Sequence, residues 1–287
     1  MHHQKLGSYR ISAIGFGGAP LSVPGRPDRE QAMSTIKEAW ENGITFFDTA
    51  DTYSLNEHDL GHNEQLFADT LPPAPGCIIA TKSGLARPDG AWIRSGHPRS
   101  LRAACERSLL LLRRDAHPLY YLHAPDPDVP FEESFGELSR LQEEGKIEHL
   151  GLSNVSVAEC EAALHIASVA AIQNRYHLFD RSSSDVLAFC ESRRILFVAY
   201  SPFGGPGQSS RLQQDPLLQE LASAYEASPY QIVLAWLLSR SPQLLPIPGA
   251  TRPQSIRDSA QAVRLRLASE DLAKLDAHGT PSPGQGR

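Results

Sequence analysis

Short apolar runs alternate with longer stretches of helical periodicity along nearly the whole chain. The runs are Ile14–Phe16, Ile44–Phe47, Ile78–Ala80, Tyr120–Leu122, Leu150–Leu152, Ala170–Ile172, Leu196–Ala199 and Leu244–Ile247. Continuous apolar runs of this kind read as strands buried on both faces. Between them, Arg29–Glu41, Ser100–Leu112, Glu132–Glu144 and Ala158–Ala167 carry apolar residues at helical spacing. Asp28, Pro98 and Ser156 stand just ahead of such stretches, as helix starts require.

Repeated strand–helix alternation predicts a parallel sheet, and eight runs are the number that closes a (β/α)8 TIM barrel. An open dinucleotide-binding sheet does not fit. Gly15–Gly18 reads GFGG rather than G-x-G-x-x-G, and Pro20 breaks the chain where that fold's helix begins. Ahead of the first strand, Lys5–Ile11 has Gly7-Ser8 between two short arms and predicts an N-terminal β-hairpin plugging the barrel floor. No linker divides the chain, so residues 1–287 read as one domain. Residues 280–287 read as a loose C-terminal tail, and Ser201–Ser210 as a loop over the site.

Composition narrows the function class. Hydrophobic residues make up 41% of the chain and charged residues 21%, ordinary proportions for a globular protein. The net charge is −6 and no Lys/Arg tract occurs, which argues against a nucleic-acid groove or an anionic membrane surface. No run approaches the ~18 apolar residues of a membrane span, and MHHQKLGSYR lacks a signal peptide's apolar core. Cys77, Cys105, Cys160 and Cys190 follow no CxxC spacing, so reduced thiols in a cytoplasmic protein are expected. A monomer or weak homo-oligomer is expected.

In a barrel, functional side chains sit at the C-terminal ends of strands and on the loops beyond. Those positions hold an unusual set: Asp48 and Tyr53 after the second run, Lys82 at the end of the third, and His123 at the end of the fourth. A free tyrosine titrates near ~10, and a neighbouring ammonium lowers that value. Lys82 is therefore expected to lower the pKa of Tyr53 as a proton donor. Asp48 would hold Lys82, and His123 would orient a substrate oxygen. Each residue alone has a plainer reading: a loop cap, a surface or Schiff-base lysine, a structural histidine, a packed tyrosine. Four plain readings at one mouth is the less economical account. His58 and His62, near Glu57, Asp59 and Glu64, suggest a metal, but Ser54–Asn63 reads as a solvated loop and no metal site is expected.

With these residues in view, the chain resembles the aldo-keto reductase family. The stretches carrying the resemblance are Gly43–Tyr53 (GITFFDTADTY), Ala80–Lys82 and Gly145–Asn154 (GKIEHLGLSN). It implies a catalytic tetrad of Asp48, Tyr53, Lys82 and His123, acting with NADPH (NADP+), with NADH as the alternative, on a small-molecule carbonyl or alcohol. It further implies that Ser153, Asn154 and Gln173 hold a nicotinamide carboxamide and that Tyr200 stacks on the ring. Ser201, Pro202, Phe203 and Gly204 would open a loop over the pyrophosphate, and Gly18 joins the expected cofactor residues. At the far end the chain departs from the family pattern. Gly249 stands where a lysine is usual and Ser255 where an arginine is usual, which leaves Arg252 for a 2′-phosphate, with Asp258 and Ser259 at the adenine. Two alternatives stay open: a Schiff-base lyase using Lys82, and a non-catalytic cofactor-binding barrel. Trp92 and Phe179 are expected to line an open substrate pocket.

Overall fold

A computed structural model describes residues 3–279 apart from 75 and 206. The expected tail at 280–287 lies outside the described residues. The chain opens with an antiparallel hairpin, β1 (His3–Leu6) and β2 (Tyr9–Ser12). Barrel strands β3 (Phe16–Gly17), β4 (Phe46–Asp48) and β5 (Ile78–Ser83) follow, and then a small excursion, β6 (Leu85–Ala86) with β7 (Ile93–Arg94). The remaining barrel strands are β8 (Leu119–Leu122), β9 (Leu150–Ser153), β10 (Val169–Arg175), β11 (Leu196–Tyr200) and β12 (Leu244–Ile247).

The eight barrel strands run parallel in the order β12-β11-β10-β9-β8-β5-β4-β3. Closure comes from the backbone where β3 meets the end of β12. Gly15 N–H donates to the Pro246 carbonyl (3.0 Å), Gly17 N–H to the Pro248 carbonyl (3.0 Å), and Gly17 bridges Gly249 in parallel. A Cβ on Gly249 would lie 2.7 Å from Pro20 Cγ, so only glycine lets the two chains approach this closely.

Helices α1 (Arg29–Glu41), α2 (His62–Thr70), α3 (Pro98–Leu112), α4 (Phe131–Glu143), α5 (Val157–Leu164) and α6 (Ser184–Arg193) fall between strands. They are followed by α7 (Ser209–Gln214), α8 (Pro216–Ala224), α9 (Pro229–Arg240), α10 (Pro253–Gln261) and α11 (Ser269–His278). The caps explain several starts. Asp28 accepts from Gln31 N–H (2.8 Å), Ser156 and Glu159 close a capping box, and α3 begins on Pro98.

The barrel interior is apolar: Phe46, Ala80, Leu119, Tyr121, Ala171, Val198 and Leu245 pack with Leu6 and Ile11 of the hairpin. The hairpin thus closes the floor, with Ser12 and Thr45 exchanging backbone-to-hydroxyl bonds (2.8 and 2.9 Å) at the start of β4. Burying Leu6 removes a whole side chain from water, worth about 1.5–3 kcal/mol. β10 runs beyond its apolar run to Arg175, because Gln173, Asn174 and Arg175 stay in register with Val198, Ala199 and Tyr200 of β11.

Candidate active site

The C-terminal rim collects the polar side chains. Asp48 ends β4, Lys82 is the penultimate residue of β5, and His123 follows β8 directly. Ser153 ends β9, Gln173 lies in β10 and Tyr200 ends β11. Tyr53 comes from the loop after β4. That loop is fixed along β5 at two points: Thr49 N–H donates to the Ala80 carbonyl (2.8 Å) and Asp51 N–H to the Lys82 carbonyl (3.2 Å).

Lys82 sits at the centre, fully buried. Its Nζ donates to Asp48 Oδ1 (2.6 Å) and the Thr49 carbonyl (2.8 Å) and lies 3.1 Å from the Tyr53 hydroxyl. The other Asp48 oxygen accepts from Gln173 Nε2 (2.6 Å). A buried ion pair survives desolvation only when its remaining donors and acceptors are satisfied, and here they are. Burial pushes the Asp48 carboxyl up and the Lys82 ammonium down, and their mutual attraction opposes both shifts.

The Tyr53 ring packs edge-on against His123 (5.8 Å) and Trp92 (6.4 Å). Trp92 in turn lies 6.4 Å from His123 and over the Arg87 guanidinium at 3.8 Å. Behind them the rim is tied together by Asn154, whose Nδ2 donates to the His123 carbonyl (2.9 Å) and to Ser153 Oγ (3.1 Å). Its Oδ1 accepts from the Tyr200 hydroxyl (2.8 Å). Asn154 holds a left-handed backbone (φ 58°), a conformation asparagine tolerates better than most residues.

One expectation is corrected. Lys82 does not bring the Tyr53 pKa down. Burial, reinforced by the negative charge of Asp48, holds the hydroxyl well above its usual value. The tyrosine is therefore protonated at neutral pH, the state a proton donor must start from. His123 is held well below its usual range, by burial first and then by Lys82 and Arg94, so it is a neutral imidazole. Its Nδ1 is buried without a hydrogen-bond partner among the described residues.

Beyond Tyr200 the backbone turns left-handed. Ser201 has φ 51°, and Gly204 and Gly205 have φ 89° and 90°. The turn is anchored by Phe203 against Tyr230 (5.0 Å) and by Arg175 Nη2, which donates to the Gly204 carbonyl (2.5 Å). Pro202 is buried beneath it. At the far end, Arg252 is exposed and its side chain makes no hydrogen bond or ion pair with a described residue. It occupies the N-cap of α10 without a side-chain cap; Pro253 has no N–H and the Ser255 N–H donates to the Arg252 carbonyl (3.1 Å), which leaves the Gln254 amide for a ligand.

Besides Gln173 and Asn154, three more expected cofactor residues have other work. Asp258 spends both oxygens on the start of α9, accepting from Ser228 Oγ (2.6 Å) and Gln231 Nε2 (2.9 Å). Gly18 spends its N–H on the Asp48 carbonyl (2.8 Å) and its own carbonyl on Asn63 Nδ2 (2.8 Å). Gly249 closes the barrel seam, which accounts for a glycine there instead of a lysine. Ser259 is buried on α10. Phe179 is exposed and packs on His278 of α11 (5.5 Å).

The loop read as solvated is only partly so: Ser54 and Asn63 are buried, and His62 pairs with Ser22 (2.8 Å). Behind the rim lies a second polar layer that the sequence did not announce. Asp51 is paired with Arg107 (3.0 Å), and buried Glu64 accepts from Thr81 Oγ1 (2.5 Å). Thr81 alternates with Lys82 along β5, so strand pleating could have placed that layer on the helix side.

Comparison with known proteins decides the family: the model described as "Aldo/keto reductase family" matches residues 13–280. The chain belongs to the aldo/keto reductase family. An uncharacterised oxidoreductase of Schizosaccharomyces pombe is 33% identical, over 96% of this chain and 89% of its own. Pyridoxine 4-dehydrogenase of Escherichia coli is 31% identical, over 94% and 96%. A crystal structure of an aldo/keto reductase from Klebsiella pneumoniae in complex with NADP and acetate superposes with a TM-score of 0.82 at 26% identity, covering 98% of this chain and 96% of that one. This aldo/keto reductase is accordingly an oxidoreductase built on a (β/α)8 barrel. No helix of the described residues is long and apolar enough to cross a membrane.

Proposed function

We propose that this aldo/keto reductase is an NADPH-dependent carbonyl reductase with Tyr53 as general acid, assisted by Lys82, Asp48 and His123. The observation that carries this reading is the position of Lys82 Nζ, 2.6 Å from Asp48 and 3.1 Å from the Tyr53 hydroxyl in a buried site. A nicotinamide cofactor held at this rim would supply the hydride. Tyr53 donates its proton to the carbonyl oxygen, which becomes strongly basic as the carbonyl is reduced. The Lys82 charge then stabilises the phenolate left behind. The neutral His123 imidazole directs the substrate oxygen towards Tyr53.

The described residues fit the cofactor. In the turn at Ser201–Gly205, Pro202 has no N–H and the Gly204 N–H donates to the Ser201 carbonyl, so Phe203 and Gly205 are the amides left for a phosphate, and unpaired Arg252 at the N-cap of α10 suits a 2′-phosphate. Gln173 Nε2 is engaged by Asp48, and Asn154 has Nδ2 on the His123 carbonyl and Oδ1 on the Tyr200 hydroxyl, so Ser153, whose hydroxyl proton is not committed, is the readiest carboxamide partner of the three. A Schiff-base role for Lys82 is disfavoured, since its ammonium is buried against a carboxylate. Four buried, unpaired cysteines suit a reducing compartment, and we place the protein in the cytoplasm as a monomer or weak homo-oligomer. Mixing the protein with NADPH and butanal tests the reading: oxidation of the cofactor is expected, and its absence across a panel of aldehydes, ketones and sugars overturns it.

A further inference from the structure

We propose that the substrate of this reductase carries a carboxylate or similar anionic group, which Arg94 pairs with at the mouth of the pocket while Trp92 covers the body of the molecule; this rests on the carbonyl-reductase reading above. The geometry begins with the β6–β7 hairpin. Arg94 is in register with Leu85, and Ser95 N–H donates to the Gly84 carbonyl (3.0 Å). One residue back, the Ser83 carbonyl accepts from His123 N–H (2.7 Å). The hairpin that carries Trp92 and Arg94 is therefore bonded to the strand end that holds His123. Trp92, 48% exposed, stands beside both Tyr53 and His123 and forms an apolar wall at the reacting end.

The cations at this mouth differ in what is left for a ligand. Lys82 is spent on Asp48 and Thr49. Arg87 stacks under Trp92 and donates to the Ser54 and Leu55 carbonyls (3.0 and 3.1 Å). Arg175 holds the Gly204 carbonyl and lies 3.4 Å from Asp180. Arg94 is exposed, and its side chain has no hydrogen bond or ion pair with a described residue. The acid that reaches this segment, Asp126, is committed to the Gly96 amide (2.7 Å). The Arg94 charge is felt at the reacting end: after burial and Lys82, it helps hold His123 neutral, and it adds weakly to Arg175 in countering the upward push of burial on Tyr200. An uncompensated guanidinium beside an apolar wall favours a planar anion on a short carbon chain.

Two readouts test this. In turnover with NADPH, 4-oxobutanoate is compared with butanal, which has the same chain length and no charge. The wild-type ratio of kcat/KM should favour the anion by roughly tenfold at low salt, about what one charge-assisted contact gives. It should collapse towards one in Arg94→Gln, partly survive in Arg94→Lys, and shrink as ionic strength rises. A ratio near one in the wild type, or unchanged in Arg94→Gln, overturns the proposal. Independently of turnover, 4-hydroxybutanoate should quench tryptophan fluorescence in the wild type and bind about tenfold more weakly to Arg94→Gln, with 1-butanol as the neutral control. Equal binding to both proteins overturns the proposal even if the enzyme reduces neutral aldehydes. Charge-selective binding without turnover supports the anion site while sinking the reductase reading.

Discussion

Lys82 Nζ lies 3.1 Å from the Tyr53 hydroxyl while donating to Asp48 at 2.6 Å, so one buried ammonium joins the proton donor to the carboxylate beneath it. The contact does not make Tyr53 acidic at rest. Its value comes later, when proton loss leaves a negative charge at a distance where, in a dry site, opposite charges interact strongly. Tyr53→Phe keeps the ring and its packing on His123 and removes the proton. Aldehyde reduction should fall about 10²-fold or more while NADPH binding persists, as read by steady-state kinetics and fluorescence titration. Near wild-type turnover would show that another group delivers the proton.

Lys82→Met removes the charge but fills much of the same space. Reduction should be largely lost, and borohydride treatment of the wild-type protein with substrate should trap nothing on Lys82. A stable adduct there, seen by mass spectrometry, would instead support the lyase chemistry that the buried ion pair argues against. The variant also leaves Asp48 buried with only its Gln173 bond, so its folding should be checked by circular dichroism before the kinetics are read.

The proposed preference for NADPH rests on Arg252. NADPH carries a 2′-phosphate that NADH lacks, and the proposal assigns it to this exposed, unpaired guanidinium. One charge-assisted contact is worth about 1.5–3 kcal/mol, roughly 10- to 150-fold in affinity. Arg252→Ala should raise the NADPH dissociation constant within that range and leave NADH nearly unchanged. Equal weakening of both cofactors, or of neither, means that the phosphate is held elsewhere.

The polar layer behind the rim should show itself in pH-dependent stability. Burial raises the Glu64 carboxyl from 4.5 to about 7 and, aided by the charge of Glu64, Asp51 from 3.8 to about 8. Both folded-state values lie above the unfolded ones, so these groups favour the fold fully below about pH 4. That contribution is lost as pH rises towards about 8, where the buried acids must ionise. Melting temperature should therefore decline from mildly acidic to mildly alkaline pH. Glu64→Gln, which keeps an oxygen for Thr81, should flatten the decline. An identical slope in the variant would show that Glu64 is not among the groups responsible.

The floor hairpin offers a test of the fold. Leu6 is fully buried among interior side chains of the barrel, so Leu6→Ala should destabilise the protein by about 2–5 kcal/mol. The denaturant midpoint should drop without a change in the KM for either cofactor or substrate. A loss well under about 1 kcal/mol would mean that the hairpin is only loosely seated.

Local pattern along the chain is enough to dictate the architecture and the chemistry-bearing strand ends. Parallel strands buried on both faces must be apolar throughout, so Leu196–Ala199 and Leu244–Ile247 announce themselves locally. Asp48, Lys82 and His123 were legible because a strand end in a barrel has only one rim to face. Other features depend on residues distant in sequence, and no local pattern carries them. Gly249 marks the barrel seam only once β12 meets β3. Asp258 looks available for a ligand until α9 brings Ser228 and Gln231 against it. The protonation of Tyr53 reversed the expectation for the same reason: adjacency to a lysine can be read from a motif, whereas desolvation is set by everything packed around the hydroxyl. Arg94 is exposed, and only the pairing of β6 with β7 sets it, without an ion-pair partner among the described residues, on the segment that leaves the end of β5, whose Ser83 carbonyl holds the His123 amide.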